Sequence, residues 1–175
     1  MNGVFQRSVT HKTQSGDVLI IALLVTSLFL ASGMTIARVN ILEYKASTEI
    51  AYSNVAYQQA EIAMEVALNQ IYKPVNTGVS QTFQTYLQNA NSGSTFGCAG
   101  GLIQFPAGAS GGTAYFKIAI YKRSNGNQFT DCANDKFAVN PPANDLQKNI
   151  GLVKTWGYYK GTVRSVESKI LDTTP

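Results

Sequence analysis

The sequence predicts an α+β protein in which one long N-terminal α-helix packs on a small antiparallel β-sheet. Three observations support this fold class: an uncharged apolar run from Val18 to Ala37, a stretch without glycine or proline from Met34 to Lys73, and a Gly-, Asn-, Ser- and Thr-rich remainder that contains alternating apolar residues. The chain has 175 residues, of which 45% are hydrophobic and 14% charged. That length suits one globular domain plus an elongated element.

The apolar run predicts that the first half of the helix, residues 18–37, crosses a membrane. It reads VLIIALLVTSLFLASGMTIA, and its only polar side chains are Thr26, Ser27, Ser32 and Thr35. A helix of this length spans the hydrocarbon core of a bilayer at about 1.5 Å per residue. A soluble core helix of the same length would show a polar face, and this segment has none.

Residues 1–16 form a short polar leader, which we expect to stay in the cytoplasm. The leader carries Arg7, His11 and Lys12 without an acidic residue, and positive charge beside a span favours the cytoplasmic side. The chain is therefore predicted to be a single-pass protein of the inner or cytoplasmic membrane. Residues 74–175 then form an extracytoplasmic, β-rich head.

Ala31-Ser32-Gly33 offers a second processing scheme, because it satisfies the small-x-small rule for a secretory signal peptide. Cleavage there would release a soluble protein. Helical spacing that continues past Gly33 favours instead one helix over residues 17–73, with Glu61 and Glu65 on its solvated or partner-facing side. The opposite face is predicted to contain small and apolar residues at steps of three or four: Leu42, Ala46, Ile50, Ser53, Tyr57, Ala60, Met64, Ala67 and Ile71.

The head is predicted to contain an antiparallel sheet of three to five strands. Residues 113–122 alternate most cleanly, with Phe116, Ile118 and Ile120 on one face. The other predicted elements are a short helix at 80–88, glycine-rich loops over 93–112 around a strand at 102–105, a turn at 124–127, a strand at 136–139, a break at 141–142, and a hairpin of strands 152–158 and 162–171. We expect the apolar sheet face to pack on Ala60, Met64, Ala67 and Ile71, because neither surface would be buried alone.

Cys98 and Cys132 both fall in the head. The two residues are interpreted either as buried free thiols or as a disulfide. Export to an oxidising compartment favours the disulfide. Closing a loop of about 35 residues would stabilise the fold by roughly 3 to 4 kcal/mol in the chain-entropy estimate.

Histidine content argues against several enzyme classes. The single histidine, His11, lies in the leader, so the head has no imidazole for a Ser/His/Asp or Cys/His mechanism or for a histidine-bearing zinc site. No phosphate-binding glycine motif or metalloprotease motif is present in the sequence. We therefore expect no enzymatic activity, and we assign no catalytic residue, metal or cofactor.

Three segments resemble type IV pilins and pilin-like proteins, especially the minor-pilin and pseudopilin group. Gln14-Ser15-Gly16 directly before the apolar run resembles a prepilin leader, and residues 56–68, AYQQAEIAMEVAL, resemble the family's alanine- and glutamate-containing helix segment. Residues 155–170, TWGYYKGTVRSVESKI, are similar to the closing hairpin of many such proteins. The middle of the chain, 73–149, shows no resemblance.

The resemblance implies a structural subunit of a type IV pilus or a related type II secretion-like filament. A prepilin peptidase would cleave between Gly16 and Asp17, with an uncleaved signal anchor as the alternative. Other pilin-like subunits would bind through the helix. The residues assigned to this contact are Ile21, Ala60, Glu61 and Glu65. Major pilins usually carry glutamate where this chain has Ile21, so the resemblance points to a minor or tip-located subunit.

A membrane-anchored adhesion or DNA-binding module that never polymerises is the rival function. Lys117, Lys122 and Arg123 beside Tyr115 and Tyr121 would suit single-stranded DNA. Lysine and tyrosine are also ordinary on the solvent side of an edge strand. We therefore treat DNA as a minor possibility among the partners.

Overall fold

The structure is a computed structural model that describes residues 15–73, 81–90, 95–132, 135–137 and 142–171. Residues 1–14 of the leader lie outside the described residues, as do residues 74–80. The predicted strand at 136–139 is described only to Phe137. The chain divides into two compact units, Met1–Ala46 and Ser47–Pro175.

Helix α1 runs from Ser15 to Tyr72 and confirms the predicted long N-terminal helix. It contains no break at Gly33, where an added side chain would meet nothing within 4 Å. The absence of glycine and proline after this point removes the usual causes of a helix end or kink. One helical element therefore includes both the apolar run and the later alanine-rich segment.

The first part of α1 exposes its large apolar side chains in every direction. From Val18 to Leu42 these side chains are 47–73% exposed. The hydroxyl groups in this segment donate to carbonyl oxygens one turn earlier, as in Ser32 Oγ to Leu28 O at 2.7 Å and Thr35 Oγ1 to Ala31 O at 2.9 Å. The helix is long and apolar enough to cross a membrane, a criterion that a signal sequence also meets.

A five-stranded antiparallel sheet forms the centre of the second unit. Its strands lie in the order β2-β3-β4-β6-β7, and a separate two-stranded sheet pairs β1 with β5. The elements after α1 are β1 Gln81–Thr82, α2 Phe83–Ala90, β2 Gly97–Ala99, β3 Leu102–Phe105, β4 Tyr115–Lys122, β5 Lys136–Phe137, α3 Pro142–Asn149, β6 Ile150–Tyr159 and β7 Thr162–Lys169. The predicted α+β class and antiparallel sheet are confirmed.

Strand β4 has the two faces that its alternation predicts. Phe116, Ile118 and Ile120 are buried in the core with Ile103, Val153 and the apolar residues of α2. Ala119 points to the opposite face but is also fully buried. This small residue lies in register with Lys154 on β6, and its neighbours on that face are longer side chains that cover it.

The predicted hairpin is also confirmed. Strands β6 and β7 pair from Leu152–Lys169 to Tyr159–Thr162 and are joined by Lys160 and Gly161. Both connecting residues have positive φ, 45° and 83°. Two positive φ values are typical of the tight type I′ turn, whose twist matches that of the strands.

Two elements differ from the sequence prediction. Helix α3 occupies the region where the Pro141-Pro142 pair predicts only a break, because proline is accepted in the first turn of a helix and Pro142 begins α3. Strand β2 lies within the stretch predicted as loops, where it pairs with β3 through Cys98 and Ile103. The disulfide between Cys98 and Cys132 is present, with a Cα–Cα distance of 6.0 Å, and it connects β2 to the segment after Phe129.

Candidate assembly helix and its contact with the sheet

The second part of α1 buries a stripe of mostly small residues against the sheet. The predicted contacts Ala60, Met64, Ala67 and Ile71 are 0–6% exposed. Three further residues complete the buried stripe: Ala56, Ala63 and Gln70. Steps of three and four along the chain place all of them on one side of the helix.

Gly157 explains why this stripe is rich in alanine. A Cβ atom on Gly157 would overlap Ala56 O and would lie 2.6 Å from Ala60 N. Both are backbone atoms, which cannot rotate away. Strand β6 therefore approaches α1 at backbone distance, and the approach requires glycine on the strand and alanine on the helix.

Thr155 adds a hydrogen bond to the contact between α1 and β6, one helical turn after Ala56. Its Oγ1 donates to Ala60 O at 2.8 Å, and the residue is fully buried. That carbonyl also belongs to the α1 backbone ladder. The bond satisfies a hydroxyl group that burial would otherwise leave unpaired, and it fixes β6 to one turn of the helix.

Tyr52 contacts β6 one helical turn before Ala56. Its ring packs edge-on against Tyr159, with ring centroids 5.5 Å apart. The contacts thus pair Tyr52 with Tyr159, Ala56 with Gly157 and Ala60 with Thr155. Four residues along a helix rise about 6 Å and two along a strand about 7 Å, so α1 and β6 run side by side in opposite directions with matched repeats.

The β6–β7 turn holds the helix at its Tyr52 end. Arg164 Nε donates to Ser53 Oγ at 2.8 Å, and Lys160 Nζ lies 4.8 Å from the Tyr52 ring centroid. A hydrogen bond to Tyr52, together with the phenols of Tyr159 and Tyr52, raises the pKa of Lys160. These groups are exposed, so we assign them an orienting role and little stabilising energy.

The other side of the same helical segment remains exposed. Glu61 and Glu65 lie there, as predicted, with Tyr57 and Ile62 beside them at 46% and 45% exposure. The Glu61 carboxylate raises the pKa of Tyr57, first through a hydrogen bond to the phenol and then through its charge. The four residues predicted to pack on the sheet are confirmed, whereas Ile50 and Tyr57, from the same predicted apolar face, are exposed, and Ala56 is the residue that contacts Gly157.

The predicted site residues therefore fall in three different environments. Gly16 and Asp17 lie in the first turn of α1, and cleavage between them stays a prediction. Ile21 is 61% exposed in the apolar part of the helix. Ala60 is buried against its own sheet, whereas Glu61 and Glu65 are exposed.

The outer face of the sheet combines aromatic rings with lysines. Tyr115 stacks on Tyr158 with a centroid distance of 4.5 Å and an interplanar angle of 2°. Lys117 Nζ lies 5.3 Å from the Tyr158 ring centroid, and Lys154 Nζ lies 5.5 Å from that of Trp156. Burial, followed by the influence of Tyr115, raises the pKa of Tyr158.

This face contains only part of the predicted basic cluster. Arg123 Nη2 donates to Gln147 O, Ile150 O and Ile170 O at 2.7–3.1 Å, so its guanidinium is engaged in holding the chain together. Lys122 Nζ lies over the Phe129 ring at 5.0 Å. Tyr115 and Lys117 remain together, but with Tyr158 as their aromatic neighbour.

Sequence reasoning missed Gly157, Thr155 and Arg123 as structural determinants. Glycine inside an otherwise bulky strand was a usable signal, because such a residue often marks a close backbone approach. Thr155 and Arg123 gave no comparable signal, since their acceptors lie 95 and up to 47 residues away in the chain.

Comparison with protein-family models, curated proteins and solved structures gave no match to this chain. Within the described ranges, no group of three or more His, Cys, Asp or Glu residues is placed to hold a metal ion. The architecture is thus a long apolar N-terminal helix packed on an antiparallel sheet, with one disulfide. That arrangement is consistent with a pilin-like fold.

Proposed function

We propose that this chain is a non-enzymatic structural subunit of a type IV pilus or a related type II secretion-like filament. Residues 18–37 hold it in the membrane before assembly, with residues 74–175 outside the cytoplasm. The observation that carries the proposal is the continuity of α1 from Ser15 to Tyr72. One helix includes an exposed apolar segment and also supplies the surface on which the sheet folds.

Assembly exchanges one apolar environment for another. Lipid surrounds residues 18–37 before assembly, and the apolar helices of neighbouring subunits surround them afterwards. The exchange costs little because both environments are apolar. Hydroxyl groups such as those of Thr26 and Ser32 already bond within the helix, so they need no new partner in either place.

Ile21 supports a minor or tip-located position in the filament. A glutamate at this place would be attracted to a neighbouring N-terminal amine inside the apolar fibre, and in low dielectric that attraction is worth several kcal/mol. Ile21 cannot supply it. This subunit therefore docks through apolar packing and through exposed groups of the later helix, including Glu61 and Glu65.

The mature N-terminus gives the first test. The full chain, expressed with a prepilin peptidase and analysed by mass spectrometry, should begin at Asp17. Gly16→Val should abolish this cleavage, and Gly33→Val, the matched control, should leave it intact. A chain that begins at Met34 would indicate a secretory signal, and one that begins at Met1 a plain anchor; either result contradicts the leader assignment.

Filament incorporation gives the second test. The double variant Glu61→Gln/Glu65→Gln should reduce the amount of subunit in sheared filaments while leaving its amount in the membrane unchanged. Glu167→Gln, on the outer face of the sheet, is the control and should have no such effect. Equal incorporation of all three proteins would argue against a docking role for the two helix carboxylates.

A membrane-anchored nucleic-acid-binding module is the second candidate, favoured by the outer face of the sheet. The Tyr115–Tyr158 pair and Lys117 combine stacking surface with positive charge, which is the combination that single-stranded nucleic acid requires. A fluorescent oligonucleotide should then bind the full chain and lose affinity on Tyr158→Ala. Binding of this kind without incorporation into filaments would favour the second candidate.

A further inference from the structure

A cavity of about 540 Å³ opens beside the end of β4. Its walls come from the β4 end, β5 and the end of α3. Among the described residues that line it, four side chains are cationic, Lys122, Arg123, Lys136 and Lys148, and one is a carboxylate, Asp135. Its volume is in the range of pockets that hold small molecules.

The framework of the cavity is fixed by several independent bonds. Arg123 Nη2 donates to two carbonyls at the junction of α3 and β6 and to one just after β7, and its own backbone N–H donates to Asn149 O at 2.8 Å. On the other side, Asp135 N donates to Asp131 O at 2.9 Å and the Cys98–Cys132 disulfide anchors the same segment. The walls are therefore held in place before any ligand arrives.

The lysines around the cavity form no salt bridge with a described carboxylate. Lys122, Lys136 and Lys148 all lack such a partner within the described part of the chain, whereas Lys154 pairs with Glu167 elsewhere on the sheet. Asp135 Oδ2 accepts from Asp131 N at 3.3 Å. Like charges around one concavity repel each other, and they attract anions strongly where the walls have low dielectric.

Two phenyl rings supply such a wall. Phe129 and Phe137 line the cavity, pack on each other at 5.2 Å between centroids, and are 9% and 3% exposed. Lys122 Nζ lies over the Phe129 ring at 5.0 Å, which orients its ammonium group beside the opening. The field of the lysines is less screened against these rings than it would be on an open surface.

The donor set favours phosphate over carboxylate. The planar guanidinium suits bidentate pairing with a carboxylate, but Nη2 of Arg123 is already engaged with backbone carbonyls. The remaining cations are ammonium groups, which act as point charges and suit multiply charged tetrahedral anions. We propose that this cavity binds a small soluble anion carrying two or more phosphate groups, a role that does not depend on filament assembly.

The test uses the full chain in an uncharged detergent, titrated with inorganic pyrophosphate in a calorimeter. The wild-type protein should bind, and added salt should weaken the binding because screening reduces the attraction. Lys136→Gln/Lys148→Gln should raise the Kd at least about tenfold. Lys117→Gln/Lys160→Gln removes the same charge elsewhere on the head and should change the Kd by less than about twofold.

Four outcomes would overturn the proposal. The first is no binding of pyrophosphate by the wild type, and the second is equal weakening by both double variants, which would indicate diffuse attraction to a basic head. The third is binding of citrate in preference to pyrophosphate. The fourth is binding to phosphatidylglycerol vesicles without binding to pyrophosphate, which would assign the lysines to a lipid surface. Both lysines of the test variant are exposed, so equal melting temperatures should show that the variants are folded.

Discussion

The part of α1 from Val18 to Leu42 and the part from Ala56 to Ile71 are the same secondary structure with opposite surfaces. The first exposes its large apolar side chains by 47–73%, whereas the second buries four alanines completely. Hydrophobicity alone would place the buried contact in the first part. The difference teaches that close packing against a sheet selects small residues, while a helix segment whose side chains stay exposed carries large ones all round.

Gly157→Ala should produce the largest effect on this contact. The new Cβ would overlap Ala56 O and press on Ala60 N, so β6 and α1 would have to separate. We expect a loss of more than about 4 kcal/mol in the free energy of unfolding, or no folded head at all. Denaturant unfolding of the full chain in detergent measures this loss in the free energy of unfolding.

Gly112→Ala is the matched control for this change, because a Cβ there meets nothing within 4 Å. Its unfolding free energy should stay within about 0.5 kcal/mol of the wild type. If Gly157→Ala were equally mild, α1 and β6 would not be in backbone contact.

The same substitution in the two parts of α1 tests their difference directly. Ala60→Leu overfills a fully buried position and should cost about 1 to 3 kcal/mol. Ala31→Leu adds the same atoms to an exposed apolar segment and should change the stability of the head by less than about 0.5 kcal/mol. Chemical denaturation, followed by near-ultraviolet circular dichroism, measures the stability of the two variants. Similar losses in Ala60→Leu and Ala31→Leu would contradict the difference between the two parts of α1.

Thr155 allows a finer test of the buried contact. Thr155→Val keeps the shape of the side chain but removes the donor to Ala60 O, so the expected loss is about 1 kcal/mol. Thr155→Ser keeps the hydroxyl and should retain the hydrogen bond, losing only a methyl group. If Thr155→Val were as stable as the wild type, the hydrogen bond would contribute nothing to stability.

The smallest effect should appear at alkaline pH on the exposed side of the second part. Glu61 raises the pKa of Tyr57 above 10.0, so the folded state holds this proton more tightly than the unfolded state. The associated stability is present below pH 10.0 and is lost as pH rises through the raised pKa. Melting temperatures measured across this range should fall less steeply for Tyr57→Phe than for the wild type, and identical slopes would contradict the assignment.

Local patterns were sufficient for much of the fold. The alternation of Phe116, Ile118 and Ile120 predicted β4, and the tight turn at Lys160 and Gly161 predicted the last hairpin. The three-residue strand β2 has no alternation to recognise, because it is set by pairing with β3 and by the Cys98 disulfide. Helix α3 likewise depends on Arg123, which reaches Gln147 from 24 residues away.

The sequence predicted which kinds of residue form the contact between α1 and the sheet. It did not predict at every position which side of the helix faces the sheet. Spacing placed Ala60, Met64 and Ala67 against the sheet and left Glu61 exposed. The apolar face defined by spacing also contained Tyr57, which is exposed, whereas Ala56, which was not on it, is buried. Neighbouring positions differ by about 100° around a helix, so a long periodic pattern tolerates a shift of one residue. Only the partner surface, here Gly157, decides which residue is buried.

The matched repeats of α1 and β6 give the head a way to bear mechanical load. Tension applied along α1 would reach the sheet through the contacts of Tyr52, Ala56 and Ala60 with β6. The force would then act along the axis of β6 and would not pull the strand away from one end. Strand β6 is hydrogen-bonded to β4 on one side and β7 on the other. Because the hydrogen bonds of antiparallel strands are perpendicular to the strands, sliding β6 along its own axis would require many of these bonds to break together.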